Sequence, residues 1–230
     1  MDDAKAIAER DPAAKNIVEV VLLYPGFHAI FFHRLAHWFY VKKIFLVARF
    51  ISQLSRFITG IEIHPGASIG KGLFIDHGMG VVIGETAEIG ENCTIYHGVT
   101  LGGTGKDKGK RHPTIGNNVL IGTGAKILGP FKVGDNSKIA ANAVVLREVE
   151  ANTTVVGVPG RPVKRGETRT VASVELDQIH LPDPVAQELC RLLARIEQLE
   201  ELLPDAEGRP ANAELRQMPH EIFCDWGSGI

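Results

Sequence analysis

The chain has 230 residues, with 25 basic and 27 acidic side chains and a formal net charge of -2 at pH 7. This length allows one substantial hydrophobic core and a smaller satellite domain, and the near-neutral charge argues against nucleic acid or an anionic membrane as a partner. The three cysteines, Cys93, Cys190 and Cys224, show no metal-ligand spacing, which indicates a reducing compartment rather than a disulfide framework. We therefore expect a cytoplasmic protein that acts on a small soluble ligand.

Residues 1–60 are predicted to form an α-helical domain that stops at Gly60. The first 15 residues lack the basic, apolar and small-residue order of a signal peptide. The apolar stretch 17–61 is interrupted by proline, glycine and charged residues, so it contains no window of about 18 uncharged residues that would cross a membrane. His28, His33 and His37 lie at near-helical spacing among aromatic residues, which favours packed imidazoles over metal ligands.

A six-residue repeat dominates the middle of the chain. Within three groups the step between aliphatic residues is six, and the members are Ile63, Ile69 and Ile75, then Ile83, Ile89, Ile95 and Leu101, then Ile115, Ile121, Ile127, Val133, Ile139 and Val145. Neither a helix nor an ordinary strand has this period. Six residues with a turn form one face of a triangular coil, whose inward side chains stack on those of the next coil. We therefore predict a parallel β-helix over residues 61–166, with the glycines that follow the aliphatic residues at corners requiring positive φ.

Two interruptions break the repeat, and both contain a histidine. Two extra residues separate the first and second groups, and eight separate the second and third. The first interruption contains Asp76 and His77, and the second is a basic loop that contains Arg111 and His112. Residues 105–107 read Gly-Lys-Asp, so the loop is not a nucleotide-binding P-loop, which requires Ser or Thr after the lysine. Because rigid scaffolds commonly carry functional groups on loops, we expect the site at these two interruptions.

Three segments resemble serine O-acetyltransferases, a family of hexapeptide-repeat acyltransferases: IEIHPGASIGKGLFIDHGMGVVIGET, VTLGGTGKDKGKRHPTIG and GVPGRPV. The segments ERDPAA and GFHAIFFHRLAHWFY and the terminal GSGI extend the resemblance over nearly the whole chain. The resemblance implies a left-handed β-helix that assembles as a homotrimer and transfers acetyl from acetyl-CoA to L-serine in cysteine biosynthesis. The family's longer helical region pairs two trimers, so a hexamer is left open for this shorter chain.

His77 is the candidate general base by this resemblance. A serine hydroxyl needs a base within hydrogen-bond reach, and a histidine, with an ordinary pKa near ~6.5, is suited to accept its proton. The family holds the other ring nitrogen with an aspartate, and Glu62 stands at that position here. A carboxylate there fixes the imidazole tautomer. The alternative for Glu62 is an ordinary exposed charge on a strand.

Four further residues match the family's serine pocket. Asp11 corresponds to the acid that meets the substrate ammonium, although Asp before Pro is also an ordinary helix-start signal. Asp76 and His112 correspond to a second acid and imidazole pair. Arg111 corresponds to the residue that holds the amino-acid carboxylate, for which a guanidinium is well shaped.

Acetyl-CoA is implied as a co-substrate, with no permanently bound cofactor and no metal. The family binds it between subunits, near positions that match Gly103, Thr123 and Lys138. One alternative is another acceptor such as homoserine. A second alternative is a β-helix zinc carbonic anhydrase, for which His64 and His97 would be ligands.

Residues 167–230 are predicted to form a helix and a tail. Val185, Leu189, Leu192, Ile196, Leu199 and Leu203 follow a heptad spacing. They indicate either a coiled coil that joins three subunits or an amphipathic helix that folds back on the coil. The final DWGSGI resembles the tail by which the family docks into O-acetylserine sulfhydrylase, with Ile230 and its carboxylate as the anchor. A scaffold that inhibits this partner is therefore a non-enzymatic alternative.

Overall fold

Four helices form the amino-terminal part of the protein. The computed structural model describes residues 2–105, 108–165 and 184–202. The helices are α1 (Asp2–Arg10), α2 (Ile17–Leu23), α3 (Pro25–Val41) and α4 (Phe45–Thr59). Asn16 caps α2 by accepting a hydrogen bond from the Glu19 backbone N–H. Gly60 ends α4 in the left-handed conformation, with φ of 71°. The predicted helical stop at Gly60 is therefore confirmed.

Short strands follow Gly60 and wind round three faces. Among the described residues they are β1 (Glu62–Ile63), β2 (Ser68–Ile69), β3 (Phe74–Asp76), β4 (Val82–Ile83), β5 (Glu88–Ile89), β6 (Thr94–Tyr96), β7 (Thr100–Gly102), β8 (Thr114–Ile115), β9 (Leu120–Ile121), β10 (Lys126–Leu128), β11 (Lys132–Val133), β12 (Lys138–Ile139), β13 (Val144–Val145), β14 (Thr153–Val156) and β15 (Arg161–Arg165). The first face has the order β1-β4-β7-β10-β13, the second β2-β5-β8-β11, and the third β3-β6-β9-β12-β14 with β15 antiparallel at its end. Consecutive strands thus lie on successive faces, which confirms the parallel β-helix.

The repeated aliphatic residues fill the inside of the coil. Ile63, Ile83, Leu101, Ile127 and Val145 are aligned in register along the first face, and each is at most 5% exposed. Burying one such side chain stabilises the fold by about 1.5–3 kcal/mol. The repeated aliphatic residues therefore form the core of the fold, and candidate functional groups are to be sought at the corners of the coil.

The glycines that follow the aliphatic residues do not serve positive φ, so that expectation was wrong. Gly70, Gly90, Gly116 and Gly134 are outside the left-handed region. A Cβ atom at each would lie 2.2–2.7 Å from atoms of the next coil. These residues are glycines because successive coils approach too closely for a side chain. Several left-handed corner positions are instead asparagines, which tolerate this conformation: Asn92, Asn118, Asn136, Asn142 and Asn152.

The helices pack directly on the third face. Ala4, Ile7 and Val20 form a buried cluster with Phe74 of β3. A Cβ atom on Gly26 of α3 would lie 2.2 Å from the Ile75 carbonyl oxygen, so α3 touches the coil backbone there. These contacts fix the amino-terminal helices beside the turn that follows β3.

His33 of α3 is buried without a hydrogen-bond partner at Nδ1 among the described residues. Burial, followed by the neighbouring His37 and Arg34, lowers its pKa to about 3, whereas an unfolded histidine takes up a proton near pH ~6.5. The unfolded chain therefore binds the extra proton between these values. We expect His33 to destabilise the fold by up to about 1.4 kcal/mol per pH unit as the pH falls from 6.5 towards 3.

Urea unfolding at a series of pH values checks this expectation. The His33→Leu variant removes the titrating group and should show a shallower loss of unfolding free energy between pH 6.5 and 4.5 than the unchanged protein. Equal slopes for the two proteins would show that His33 does not carry this acid sensitivity.

A fifth helix, α5 (Pro184–Leu202), belongs to a second compact unit. Val185, Leu189, Leu192, Ile196 and Leu199 of the heptad are 45–58% exposed. Leu203 and Ile230 lie outside the described residues, so the complete heptad and the tail remain predictions. None of the described helices is alone long and apolar enough to cross a membrane, and α2 with α3 reaches that length and composition only across a 70° bend.

The cysteines only partly follow the expectation that they stay unpaired. Cys93 is a free thiol inside the coil, and burial raises its pKa to about 11. Cys190 of α5, in contrast, is disulfide-bonded. The expectation of unpaired cysteines was therefore wrong for Cys190.

Candidate active site

His77 lies on the turn between the third and first faces, directly after β3. Its φ is 58°, a region that residues other than glycine rarely occupy and that recurs at functional sites. The side chain is 75% exposed, and its Nε2 is 3.8 Å from Asp76 Oδ1. Its ring also makes an edge contact with His97 of the next coil, with 5.9 Å between ring centroids. The turn thus presents an accessible imidazole beside a carboxylate.

A second carboxylate joins this corner from the helices. Asp11, just after α1, accepts hydrogen bonds from the Ala13 backbone N–H at 2.8 Å and from the Tyr24 hydroxyl at 2.7 Å. Burial raises the pKa of Asp76, and the charge of Asp11 acts in the same direction, although His77 opposes it. Burial and then Asp11 raise the pKa of Tyr24 to about 12, so Tyr24 stays a donor. The corner therefore brings the carboxyl groups of Asp11 and Asp76 close enough to interact, with His77 beside Asp76.

Glu62, the predicted partner of His77, makes a different contact. Its Oε2 lies 3.2 Å from Nη1 of Arg56 in the last turn of α4. Among the described residues no hydrogen bond or ion pair joins Glu62 to His77. The structure thus brings Asp11, Asp76 and His77 together and leaves the carboxylate of Glu62 with Arg56.

His112 lies at another corner, between the first and second faces. Its Nδ1 accepts a hydrogen bond from the Thr86 backbone N–H at 3.1 Å and is 2.9 Å from the Thr86 hydroxyl. A backbone N–H can only donate, so the neutral ring carries its proton on Nε2. Burial and then the charge of Arg111 lower the pKa of His112. His112 is therefore a fixed neutral donor, with its ring directly over Gly84, where a Cβ atom would lie 2.0 Å from Nε2.

Arg111 is held at the same corner by its backbone and by its side chain. Its backbone N–H donates to the Thr86 hydroxyl at 3.0 Å. Its Nη2 donates to Glu85 Oε2 at 2.5 Å, and Glu85 Oε1 accepts from the Tyr40 hydroxyl at 3.0 Å. The hydrogen bond from Arg111 lowers the pKa of Glu85, and burial and then Glu85 raise the pKa of Tyr40. Arg111 and His112 together form a donor site suited to a carboxylate.

Sequence reasoning missed four supporting residues. Tyr40 comes from α3 and Tyr24 from the junction of α2 and α3, whereas Glu85 and Thr86 come from a regular coil. The only available signal was the Gly-Glu-Thr sequence that ends the first segment resembling the acetyltransferases. No spacing rule links a tyrosine of α3 to a carboxylate 45 residues later, which only the fold brings together.

The two clusters do not meet within one chain. The turn with His77 precedes β4, and the turn of Gly84 and Thr86, against which His112 packs, follows β4. They therefore occupy two different corners of a triangular coil. One corner thus carries two carboxylates and an exposed imidazole, and the other carries a guanidinium and an imidazole donor.

The three predicted CoA positions differ in accessibility. A Cβ atom on Gly103 would lie 3.0 Å from Arg111, so its backbone runs beside the second corner. Thr123 is partly exposed and lies on a turn between the third and first faces. Lys138 of β12, by contrast, is only 6% exposed. A pocket of about 440 Å³ near the end of the coil, lined by Arg147, Pro159, Gly160, Arg161 and Pro162, was not anticipated.

The histidines of the zinc alternative are also separated. His64 follows β1 at the corner between the first and second faces, whereas His97 follows β6 at the corner between the third and first faces. In the part of the chain that the structure describes, no group of three His, Cys, Asp or Glu residues is arranged to hold a metal ion.

Comparison with known proteins gives matches over most of the chain. The family model "Serine acetyltransferase, N-terminal" matches residues 1–31, and "Bacterial transferase hexapeptide (six repeats)" matches residues 112–147. A serine acetyltransferase of Synechococcus elongatus is 54% identical over 241 aligned residues, which cover 99% of this chain and 97% of that protein.

Two solved structures are similar in fold and sequence. The Neisseria gonorrhoeae serine acetyltransferase in complex with serine has a TM-score of 0.69 and 47% identity, covering 71% of this chain and 66% of that chain. The Brucella abortus serine acetyltransferase in complex with coenzyme A has a TM-score of 0.70 and 51% identity, covering 72% and 67%.

Proposed function

The chain belongs to the serine acetyltransferase family, and from this we propose that it transfers acetyl from acetyl-CoA to the L-serine hydroxyl at clefts between its copies. This proposal rests on the observation that two complementary half-sites lie at separate corners of one coil. Asp11, Asp76 and His77 form one, and Arg111 and His112 form the other. A cleft that joins the first half-site of one copy to the second half-site of its neighbour has every group the reaction requires.

The two half-sites recognise opposite ends of the amino acid. The carboxylates of Asp11 and Asp76 attract the substrate ammonium. Arg111 and the Nε2–H of His112 donate to the substrate carboxylate, a charge-assisted arrangement that sets orientation as well as affinity. The serine hydroxyl, between these ends, then faces His77.

His77 moves the proton in both halves of the reaction. It removes the proton from the serine hydroxyl as that oxygen attacks the thioester carbonyl carbon. When the carbon–sulfur bond breaks, the imidazolium returns the proton to the CoA thiolate, giving O-acetyl-L-serine and free CoA. Glu62 remains our candidate for orienting His77, a role that requires its carboxylate to exchange Arg56 for the imidazole.

We propose a cyclic homotrimer as the assembly. Three copies in a closed ring form three equivalent clefts, each from two neighbours. Leu46, Phe50 and Phe57 of α4 are 86%, 69% and 89% exposed, and apolar surface of this kind supports self-association. The exposed heptad of α5 supports parallel association of the same copies.

Acetyl-CoA is proposed to lie along the coil beside Gly103 and Thr123. The pocket with Arg147 and Arg161 offers guanidinium groups for its phosphates, and Lys138, although buried, remains a candidate. Docking of Ile230 into O-acetylserine sulfhydrylase is a further proposal, which concerns a residue outside the described part of the chain. We also propose a cytoplasmic location. Family membership argues against the carbonic anhydrase and pure scaffold alternatives.

A direct assay tests the proposed function. Purified protein with acetyl-CoA and L-serine should release free thiol and form O-acetyl-L-serine in equal amounts, as followed by a thiol reagent and mass spectrometry. Homoserine, one methylene longer, should react with kcat/KM lower by about 10-fold or more. Thiol release without O-acetyl-L-serine, or a preference for homoserine, would overturn the assignment of the acceptor.

A further inference from the structure

We propose that Glu85 is a positioning residue that holds the Arg111 guanidinium ready for the substrate carboxylate, and that Tyr40 of α3 holds Glu85 in turn. This inference rests on the proposed function, because it assigns the carboxylate of L-serine to Arg111. It adds two residues to the site, neither of which contacts the reacting atoms.

Each oxygen of Glu85 has its own partner. Oε2 accepts from Nη2 of Arg111, and Oε1 accepts from the Tyr40 hydroxyl at 3.0 Å. The side chains of Glu85 and Arg111 are 33% and 24% exposed, so both are partly withdrawn from water. The contact with Tyr40 restrains the carboxylate independently of Arg111. The restrained carboxylate in turn limits where Nη2 of Arg111 can lie.

The guanidinium keeps free donors in this arrangement. Arginine has five N–H donors in a planar fork, and Glu85 occupies only Nη2. Nη1 is 3.5 Å from the Gly109 carbonyl oxygen, a long contact that a stronger acceptor would replace. The substrate carboxylate can thus use another edge of the guanidinium while Glu85 keeps its own.

Arg111 needs such a holder because it lies at the end of the long loop. Its backbone is anchored to Thr86, but a long arginine side chain still loses conformational freedom when it binds a ligand. Fixing the side chain before the substrate arrives removes part of this cost, which improves affinity through pre-organisation. Glu85 also offsets the positive charge of Arg111, which reduces the repulsion between Arg111 and the neighbouring Lys110.

Tyr40 connects this support to the amino-terminal helices. Its ring makes edge contacts with Phe45 of α4 and with His64 of the coil. Burial and then Glu85 raise its pKa, so its hydroxyl stays protonated and continues to donate. The position of Glu85, and through it of Arg111, is thereby set by α3.

The Glu85→Gln variant tests the proposal in the full-length enzyme. We expect KM for L-serine to rise about 10-fold, because misplacing a substrate-holding group by about 1 Å can cost up to about 100-fold. The kcat and the KM for acetyl-CoA should stay within about twofold, since no reacting group changes. Tyr40→Phe should raise the serine KM by a smaller factor, and the two changes together should act no more strongly than Glu85→Gln alone.

A neighbouring ion pair provides the matched control. Glu88 of β5 pairs with Lys110 of the same loop at 2.8 Å. Its side chain is 55% exposed, compared with 33% for Glu85. Glu88→Gln should leave all kinetic constants unchanged. In an Arg111→Ala background Glu85→Gln should have no further effect on kcat/KM, because Glu85 acts through Arg111.

Three results would overturn the proposal: an unchanged serine KM in Glu85→Gln, a fall in kcat with unchanged KM, or a full effect of Glu85→Gln in the Arg111→Ala background. Calorimetric titration with L-serine separates this failure from failure of the proposed function. If the protein binds serine but does not acetylate it, weaker binding by Glu85→Gln still supports the positioning role, while the proposed reaction fails.

Discussion

Replacing His77 by asparagine is expected to lower kcat for acetyl transfer by about 10²–10⁴-fold, the range that a general base contributes. Asparagine is a better test than alanine because it tolerates the backbone conformation at this position, where φ is 58°. Five asparagines of the described chain already adopt this conformation. The substitution therefore removes the base and keeps the turn. Affinities for L-serine and acetyl-CoA should change little, since Asp11, Asp76 and Arg111 are intact. Steady-state kinetics with calorimetric binding check both parts.

The control for His77→Asn is His28→Gln. His28 lies on α3, and its Nε2 contacts the Val21 carbonyl oxygen at 2.8 Å, which glutamine can still reach. We expect full activity and a similar melting temperature for this variant. A kcat of His77→Asn within tenfold of the unchanged enzyme would rule out His77 as the general base.

The fold was predictable because its signal is repeated. Each coil places an aliphatic residue such as Ile83 or Ile127 at the same point, so many weak local preferences agree on one architecture. The role of the glycines was not predictable from composition. Positive φ and close approach of two backbones both favour glycine, and only the structure shows that Gly116 faces Asp135 of the next coil.

The candidate site could be inferred from the sequence where the chain departs from its repeat. His77 and Arg111 stand out because extra residues interrupt the period of six. Glu85 and Tyr40 do not, since one sits in a regular coil and the other in an ordinary helix. The partner of Glu62 could not be predicted from the sequence, because it depends on which side chain the fold places within contact distance. That side chain is Arg56 of α4 in this structure, and no spacing in the sequence specifies it.

Two inactive chains are expected to restore activity when they assemble together. One carries His77→Asn, and the other carries Arg111→Ala with His112→Ala. Each alone should fall below about 1% of full activity, since every cleft lacks either its base or its carboxylate site. Co-expression with two different affinity tags and purification on both yields trimers that contain both chains.

The geometry of a three-membered ring sets the size of the recovery. In the proposed trimer, a cleft takes His77 from one copy and Arg111 with His112 from the next. It is intact only where a chain with intact His77 is followed by a chain with intact Arg111. A ring of three that contains both kinds of chain has one such junction, whichever kind is in excess. Each mixed trimer should therefore have about one third of the activity of the unchanged trimer. Two half-sites that met within one chain would give no recovery at all, because every chain in the mixture carries a defect.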